Sequence, residues 1–173
     1  MIGKNAALLR LIPTMTVAAL ATAGGGEVRA AATDTASLLA PLKAFATAYN
    51  RGDREFPVNA YIDDAPTIDD FPPYSWRGSN AARIWYQATI GGNTTAAYKE
   101  FLDEHQVLEL GRTLTVRQHG DHAFVVLVTA LRFRARGSNY LQHYDWTVSE
   151  IRTGAGWRIN AQGWALTDST HSR

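Results

Sequence analysis

Four long stretches rich in valine, leucine, threonine and aromatic residues fill the second half of the sequence, and they constrain the fold more than any other feature. They cover residues 107–118, 122–135, 140–152 and 157–167. Short turn-forming segments, each with at least one glycine, separate them. Because such short turns join neighbouring antiparallel strands, the pattern predicts four long antiparallel strands.

The first half of the sequence instead predicts helices. Leu42, Phe45 and Tyr49 recur at three- and four-residue spacing, which is typical of one buried helix face. Gly52 suits the left-handed conformation that ends a helix. Helices followed by hairpin-linked strands predict an α+β domain, with the helices packed on one face of a curved, mostly antiparallel sheet.

Shorter elements are predicted between these two parts. A second helix is predicted near residues 54–61, a brief strand over 67–71, a third helix from about residue 80 and a further helical turn over 96–102. The prolines at positions 72 and 73 end the brief strand, because proline lacks the N–H group that a sheet needs.

The first thirty residues have the pattern of a secretory signal peptide. Lys4 and Arg10 precede an apolar, alanine-rich run over residues 11–23, and small residues follow it. Cleavage is predicted after about residue 30. A retained membrane anchor is the alternative, but Pro13 interrupts the run, and a spanning helix needs about 20 apolar residues.

The chain is therefore predicted to contain a cleaved signal peptide (1–30), a flexible leader (31–37), one domain (38–168) and a tail (169–173). We expect a secreted or periplasmic protein with no stable membrane insertion after cleavage. The sequence has no cysteine, which excludes disulfides and thiolate chemistry. Its formal net charge of +1 argues against nucleic acid as a partner.

Four short segments carry a family resemblance. They are Ala48–Asp53, Tyr61–Asp69, Trp76–Gly78 and Gly156–Ile159. In their order and spacing they resemble the nuclear transport factor 2-like superfamily, which includes SnoaL-like cyclases and ketosteroid isomerases, over about residues 36–168. The resemblance implies a cone-shaped fold whose helices close one side of the sheet and leave an apolar pocket, and it implies a homodimer formed through the sheet.

Asp69 is a candidate catalytic residue because the resemblance aligns it with the general base of the ketosteroid isomerases. A carboxylate that faces an apolar pocket has a raised pKa and can move a proton. The alternation of a strand leaves open whether Ile68 or Asp69 faces inward, and it places Asp70 opposite to Asp69. The alternative interpretation is that these acids are turn residues on a solvated edge.

The rest of the isomerase site does not carry over to this sequence. Phe45 stands where those enzymes have the tyrosine that binds the developing oxyanion, and Val148 stands where they have the assisting acid. Asp145 has the opposite parity on the predicted strand. Since neither Phe45 nor Val148 can donate a hydrogen bond, steroid isomerisation is not expected.

His143 is a second, weaker catalytic candidate. It lies two residues from Asp145 on a predicted strand, so the two side chains share a face and could form an acid-base pair. The same alternation also fits a solvated outer face, with Tyr144, Trp146 and Val148 facing the core.

Six aromatic residues are candidates for binding a flat apolar ligand, although core packing would use them equally well. They are Tyr49, Trp76, Trp85, Tyr86, Trp146 and Trp164. The five histidines have no paired helical spacing, and the sequence contains no phosphate-binding glycine loop. We therefore expect no metal and no cofactor.

Three functions are compatible with the sequence. The first is non-catalytic binding of a small, largely apolar molecule in an internal pocket of about 300–1,000 Å³. The second is a SnoaL-like lyase, isomerase or hydrolase with Asp69 as the general base. The third is a dimerisation or interaction module whose working surface is the sheet, and this function is favoured if side chains fill the cone.

Overall fold

The computed structural model describes residues 35–53, 55–89 and 106–173. Two helices cover Ala40–Arg51 (α1) and Ala81–Thr89 (α2). Six strands cover Thr67–Ile68 (β1), Ser75–Trp76 (β2), Val107–His119 (β3), His122–Ala135 (β4), Ser138–Thr153 (β5) and Gly156–Ser172 (β6). The predicted α+β class is confirmed.

All six strands form one sheet in the order β2-β1-β6-β5-β4-β3. Strands β3 to β6 pair with their sequence neighbours in antiparallel fashion, as the turn spacing predicted. Strand β1 pairs in parallel with β6 and antiparallel with β2. The short β1–β2 hairpin is therefore attached to the four long strands through β6, the last strand of the chain.

Helix α1 ends at Gly52, as the sequence predicts, and a proline stands near its start. Pro41 lies in its first turn, where the missing N–H has no intrahelical partner to lose. Gly52 has φ +65° and donates its N–H to the carbonyl of Tyr49 at 2.9 Å, which closes the helix. Leu42, Phe45 and Tyr49 are buried against the concave face of the sheet.

The helix predicted near 54–61 does not form over the residues described there. Residues 58–60 form a turn, and Tyr61 bridges to Ile159 of β6. The Ile159 N–H donates to the carbonyl of Ala60 at 2.8 Å, so this segment bonds to the sheet. Pro57 also disfavours helical backbone at the residue before it.

The lengths of two strands differ from prediction, and one predicted turn cannot be compared. Strand β1 ends at Ile68 because the chain turns back into β2, so the strand predicted over 67–71 is shorter. Strand β6 continues to Ser172 and pairs with β5, so most of the predicted tail over 169–173 is strand.

The turn predicted over 96–102 and the predicted signal peptide lie outside the described residues.

The core lies between the helices and the concave face of the sheet. Alternate residues of β5, Tyr144, Trp146 and Val148, face it. The Phe45 ring lies near the middle, with its centroid 5.2 Å from that of Trp146 and 5.6 Å from that of Trp85. Aromatic rings therefore occupy most of the cone.

Candidate functional site

Asp69 faces the interior because β1 enters the sheet with Thr67 inward. Thr67 is fully buried and Ile68 is 56% exposed, and the hydrogen bond of Asp69 to Tyr74 extends this alternation one residue beyond β1, so Asp69 turns toward the core. Gln162 of β6 fixes this register by donating its side-chain N–H to the Thr67 hydroxyl at 3.1 Å. The Asp69 N–H donates to the carbonyl of Tyr74 at 3.2 Å, which continues the hairpin.

The Asp69 carboxylate is held by two N–H groups. The indole Nε1 of Trp85 donates to Oδ2 at 2.7 Å, and the backbone N–H of Asp70 donates to Oδ1 at 2.8 Å. Burial removes water from the charged form and raises the pKa of Asp69 to about 7, against the opposing effect of these hydrogen bonds. The group is therefore close to half-ionised at neutral pH.

Asp69 lies in the wall of a small cavity of about 50 Å³. The described lining residues are Phe45, Tyr49, Asp69, Asp70, Phe71, Trp85, Thr89, Gln106, Leu108, Leu131, Tyr144 and Trp164. Since one water needs roughly 10–15 Å³ by this measure, the space suits a small chemical group. The cavity is much smaller than the pocket predicted from the sequence, because stacked aromatic side chains fill the rest of the cone.

Three of the six predicted aromatic ligand residues, Tyr49, Trp85 and Trp164, line this cavity. The other three belong to the core. Trp76 packs on Phe71. Trp146 stacks on Trp164 with centroids 4.5 Å apart. Tyr86 donates its hydroxyl to the carbonyl of Asp53 at 2.8 Å.

His143 is not brought to Asp69. It lies on the outer face of β5, between the inward-facing residues Gln142 and Tyr144, and its Nδ1 is 3.7 Å from Oδ2 of Asp168. Asp145 lies on the same outer face. The two catalytic candidates, Asp69 and His143, therefore do not meet in one site in this structure.

Asp70 departs from its predicted position. It is exposed, but it lines the same cavity as Asp69 at the mouth, because β1 has ended and alternation no longer applies. The Tyr144 hydroxyl is 3.4 Å from Oδ2 of Asp70 and donates to Oε1 of Gln142 at 2.9 Å. The sequence analysis placed Tyr144 on the core face with Trp146 but did not name it as a site residue.

Gln106 is a lining residue that the sequence analysis missed. It is buried, and its Oε1 accepts a short hydrogen bond from the hydroxyl of Tyr49. It precedes the first long strand, so no strand or helix period marks it as inward-facing. Only the folded chain brings it beside Tyr49.

The similarity of this chain to known proteins is one of structure. No protein-family model and no curated protein matches the sequence. A hexachlorocyclohexane dehydrochlorinase, LinA type 2, superimposes with a TM-score of 0.66 at 9% identity, covering 85% of this chain and 94% of that chain. A scytalone dehydratase-like protein from Novosphingobium aromaticivorans gives a TM-score of 0.66 at 10% identity, covering 84% and 92%.

A third structural neighbour is described by the name of its fold family. An NTF2-like protein of unknown function from Pseudomonas putida gives a TM-score of 0.57 at 19% identity, covering 79% of this chain and 87% of that chain. This chain has the nuclear transport factor 2-like (NTF2-like) fold. The fold implied by the four sequence segments is thus confirmed.

Within the NTF2-like cone, the two positions aligned with the isomerase donors are apolar. Phe45 and Val148 are both fully buried in the core. One other donor lies nearby, since the indole Nε1 of Trp164 is buried and has no hydrogen-bond partner among the described residues. A buried N–H without a partner is costly, and a ligand with an acceptor atom would relieve that cost.

The described part of the chain contains neither a metal-ligand cluster nor a helix that could span a membrane. Residues 35–53, 55–89 and 106–173 contain no cluster of three or more metal-ligating side chains. In the same ranges, no helix has the length and apolar character needed to cross a bilayer.

Proposed function

We propose that this protein is a proton-transfer enzyme that binds a small, largely apolar molecule and uses Asp69 as its general base. One observation carries the proposal: the Asp69 carboxylate lies in an aromatic cavity, held by the indole N–H of Trp85. Burial brings the pKa of Asp69 to about 7, where a base is both available and strong enough at neutral pH.

The reaction class follows from what a lone carboxylate base can do. Asp69 removes a proton from a carbon of the substrate, and the electron pair of that C–H bond forms a new double bond. A leaving group on the adjacent carbon departs with its own bonding pair, which makes the step an elimination. The N–H of Trp85 stabilises the charged base before the transfer.

Two structural neighbours support an elimination. One is named as a dehydrochlorinase and one as a dehydratase-like protein, and both names describe the loss of a small acid or of water. At about 10% identity they support the fold, and the chemistry is our extension to this chain.

A dimerisation or interaction module is one alternative, and it is favoured by the aromatic side chains that fill much of the cone. Non-catalytic binding is another candidate. It is favoured by Phe45 and Val148, which supply no hydrogen bond to a developing oxyanion. The cavity of about 50 Å³ restricts either function to a small molecule or a small part of a larger one. We further propose that the protein is exported and acts as a homodimer, on the basis of its N-terminal sequence and its family resemblance.

The test uses the purified protein with hexachlorocyclohexane, scytalone and smaller chlorinated or hydroxylated molecules, with products detected by mass spectrometry. Asp69→Asn should lower kcat/KM by about 10²–10⁴-fold. Asp64→Asn, in an exposed turn of the same segment, should leave it unchanged. Activity that survives Asp69→Asn would exclude Asp69 as the base.

A second readout needs no substrate. The indole N–H resonance of Trp85 should shift with pH around a midpoint near 7, because its acceptor is Asp69. The shift should vanish in Asp69→Asn. A resonance that does not move between pH 5 and 9 would contradict the assigned protonation behaviour.

A further inference from the structure

We propose that the indole N–H of Trp164 binds the carbonyl oxygen of the substrate and stabilises the negative charge that forms on it. The inference rests on the proposed function, because it names the substrate class of the same site. That class is a small ketone or aldehyde with a hydrogen on the carbon next to the carbonyl group. The isomerase alignment places the donors at Phe45 and Val148, so it does not assign this role to Trp164.

The Trp164 indole is fixed by neighbouring rings, but its N–H is not used by them. Trp146 stacks on it with centroids 4.5 Å apart and planes 14° apart, and Trp85 lies nearly parallel to it at 6.2 Å. These contacts fix the plane of the indole. The residue lines the cavity, and its buried Nε1 has no hydrogen-bond acceptor among the described residues. Because a buried donor without a partner destabilises the fold, an acceptor atom of a ligand would be bound favourably there.

Trp85 connects this donor with the base. Its indole N–H donates to Oδ2 of Asp69 at 2.7 Å, and its ring is the near-parallel neighbour of Trp164. Asp69 and Trp164 therefore both neighbour one side chain, and both line a cavity of about 50 Å³. A molecule in so small a space contacts its walls in several directions, so one substrate can reach both groups.

The acceptor atom is a carbonyl oxygen because the base requires an acidic C–H bond. Burial raises the pKa of Asp69 only to about 7, and a base of this strength does not remove a proton from an unactivated carbon. A carbonyl group makes the neighbouring C–H bond acidic, since its oxygen takes up the charge left by the proton. An ether or alcohol oxygen also accepts an N–H, but it takes up none of this charge.

The proton transfer proceeds through an enolate. The proton moves from the α-carbon to Asp69, the C–H electron pair becomes the C=C bond, and the π pair of the carbonyl moves onto oxygen. The N–H of Trp164 donates to this oxygen more strongly than to the neutral carbonyl, so it favours the transition state. When the C=O bond forms again, the leaving group departs from the β-carbon with its bonding pair. The indole keeps its proton throughout, since tryptophan acts only as a donor.

The binding test compares cyclopentanone with methylenecyclopentane, which has nearly the same shape and a CH₂ group in place of the oxygen. The indole N–H resonances of the ¹⁵N-labelled protein are followed during each titration. Trp164→Phe identifies the Trp164 resonance by its loss. We expect the ketone to move this resonance downfield in a saturable manner, and the hydrocarbon to leave it without a downfield shift.

The catalytic test measures exchange of the α-hydrogens of cyclopentanone for deuterium in D₂O, which requires proton transfer but no leaving group. Trp164→Phe should slow the protein-catalysed exchange by about 10²–10³-fold. It should leave the binding of methylenecyclopentane unchanged, which shows that the cavity is intact. Trp157→Phe is the matched control, because Trp157 belongs to a separate core cluster with Leu38 and Ala123. It should preserve the exchange.

The outcomes distinguish this proposal from the proposed function. A Trp164 resonance that responds equally to both probes or to neither overturns the donor role. A wild-type protein that catalyses no exchange, or exchange that Trp164→Phe and Trp157→Phe slow equally, also overturns it. Exchange that is lost in Asp69→Asn but kept in Trp164→Phe removes the donor and leaves the base assignment in place. If Asp69→Asn keeps the exchange and Trp164→Phe loses it, the base assignment fails and the donor stands.

Discussion

Glu150 is the residue whose burial is hardest to account for by packing alone. Its side chain is 0% exposed on β5, and neither carboxyl oxygen has a hydrogen-bond partner among the described residues. It follows an irregularity in the pairing of β5 with β6, opposite Ile159. Burial raises the pKa of Glu150 to about 8, so the group is mostly protonated at neutral pH.

The stability of the fold should therefore decrease as the pH rises toward 8. Above its ordinary pKa of 4.5 the unfolded chain loses the Glu150 proton, whereas the folded chain keeps it until about 8. Over this interval the folded state binds more protons, and the free energy of unfolding falls with pH. Glu150→Gln removes this pH dependence. Between pH 5 and 8, the free energy of unfolding of the variant should therefore rise by about 2–4 kcal/mol relative to that of wild type.

Urea denaturation at several pH values measures this difference. Asp121→Asn, in the exposed turn between β3 and β4, is the control and should run parallel to wild type. Asp69 also makes the free energy of unfolding fall with pH. Because Asp69 is present in both proteins, its effect cancels in the comparison. Parallel curves for Glu150→Gln and wild type would contradict the assignment.

At single residues, the sequence could nominate site groups but could not orient all of them. Asp69 was identified from the family resemblance, which aligns it with the general base of the ketosteroid isomerases, yet its direction depends on the pairing of Thr67 with Gln162, almost a hundred residues away. The alternation of β5 placed His143 on the face opposite to Trp146. The structure shows that this is the outer face of the sheet. Glu150 shares the inward parity of Trp146, but nothing in the sequence shows that its carboxyl lacks a partner.

At the scale of elements, β1 is attached to the sheet by a buried polar network around Gln162. Oε1 of Gln162 accepts hydrogen bonds from the Tyr61 hydroxyl at 2.9 Å and from Nε1 of Trp146 at 3.0 Å. Its Nε2 donates to the hydroxyl of Thr67 at 3.1 Å. One side chain thus satisfies three buried groups on three different segments, which makes the network cooperative.

Replacing Gln162 with leucine should both destabilise the fold and disturb the site. Three buried polar groups would lose their partner, at a total cost of about 2–4 kcal/mol. Strand β1 would also lose its side-chain link to β6, so the Trp85 indole resonance should lose its titration near pH 7. Gln118→Leu, on the exposed end of β3, should change neither denaturation nor the resonance.

Elements were predictable where local signals and tertiary contacts agree. The four long strands follow from their turns, and α1 follows from its period and from Gly52. The helix expected near 54–61 failed because the backbone of Ala60 and Ile62 bonds to β6, and sequence period carries no information about that competition. The register shifts between β3 and β4 and between β5 and β6 were not predictable either, because sequence period carries no information about pairing between strands.

At the scale of the whole molecule, the outer face of the sheet bears exposed apolar side chains. Phe124 of β4 is 42% exposed between the buried residues Ala123 and Val125. If the homodimer expected from the family resemblance forms through this face, Phe124→Glu should convert the protein to a monomer, because it places a charge in an apolar contact. Sedimentation velocity measures the change.

Ile84→Glu is the matched control for the dimer. Ile84 is 52% exposed on α2, away from the sheet's outer face, so its replacement should leave the dimer intact. A wild-type protein that sediments as a monomer at all concentrations would remove the dimer from the proposal.

The fold was more predictable than the cavity. The order of the elements and the spacing of the turns predict the NTF2-like cone. These features depend on residue patterns and do not depend on how individual side chains pack. The volume left inside depends on how individual rings pack, as in the stacking of Trp146 on Trp164. That packing reduces the expected pocket to about 50 Å³.

The parallel pairing of β1 with β6 has a consequence for biosynthesis. During translation, the helices and the first hairpins emerge from the ribosome well before β6 does. Until β6 is available, β1 can pair only with β2, and Gln162 cannot hold Thr67 in its inward register, so the direction of Asp69 is not fixed. The nascent chain can therefore assemble most of its scaffold early, but Asp69 takes its place in the cavity wall only when the last strand arrives.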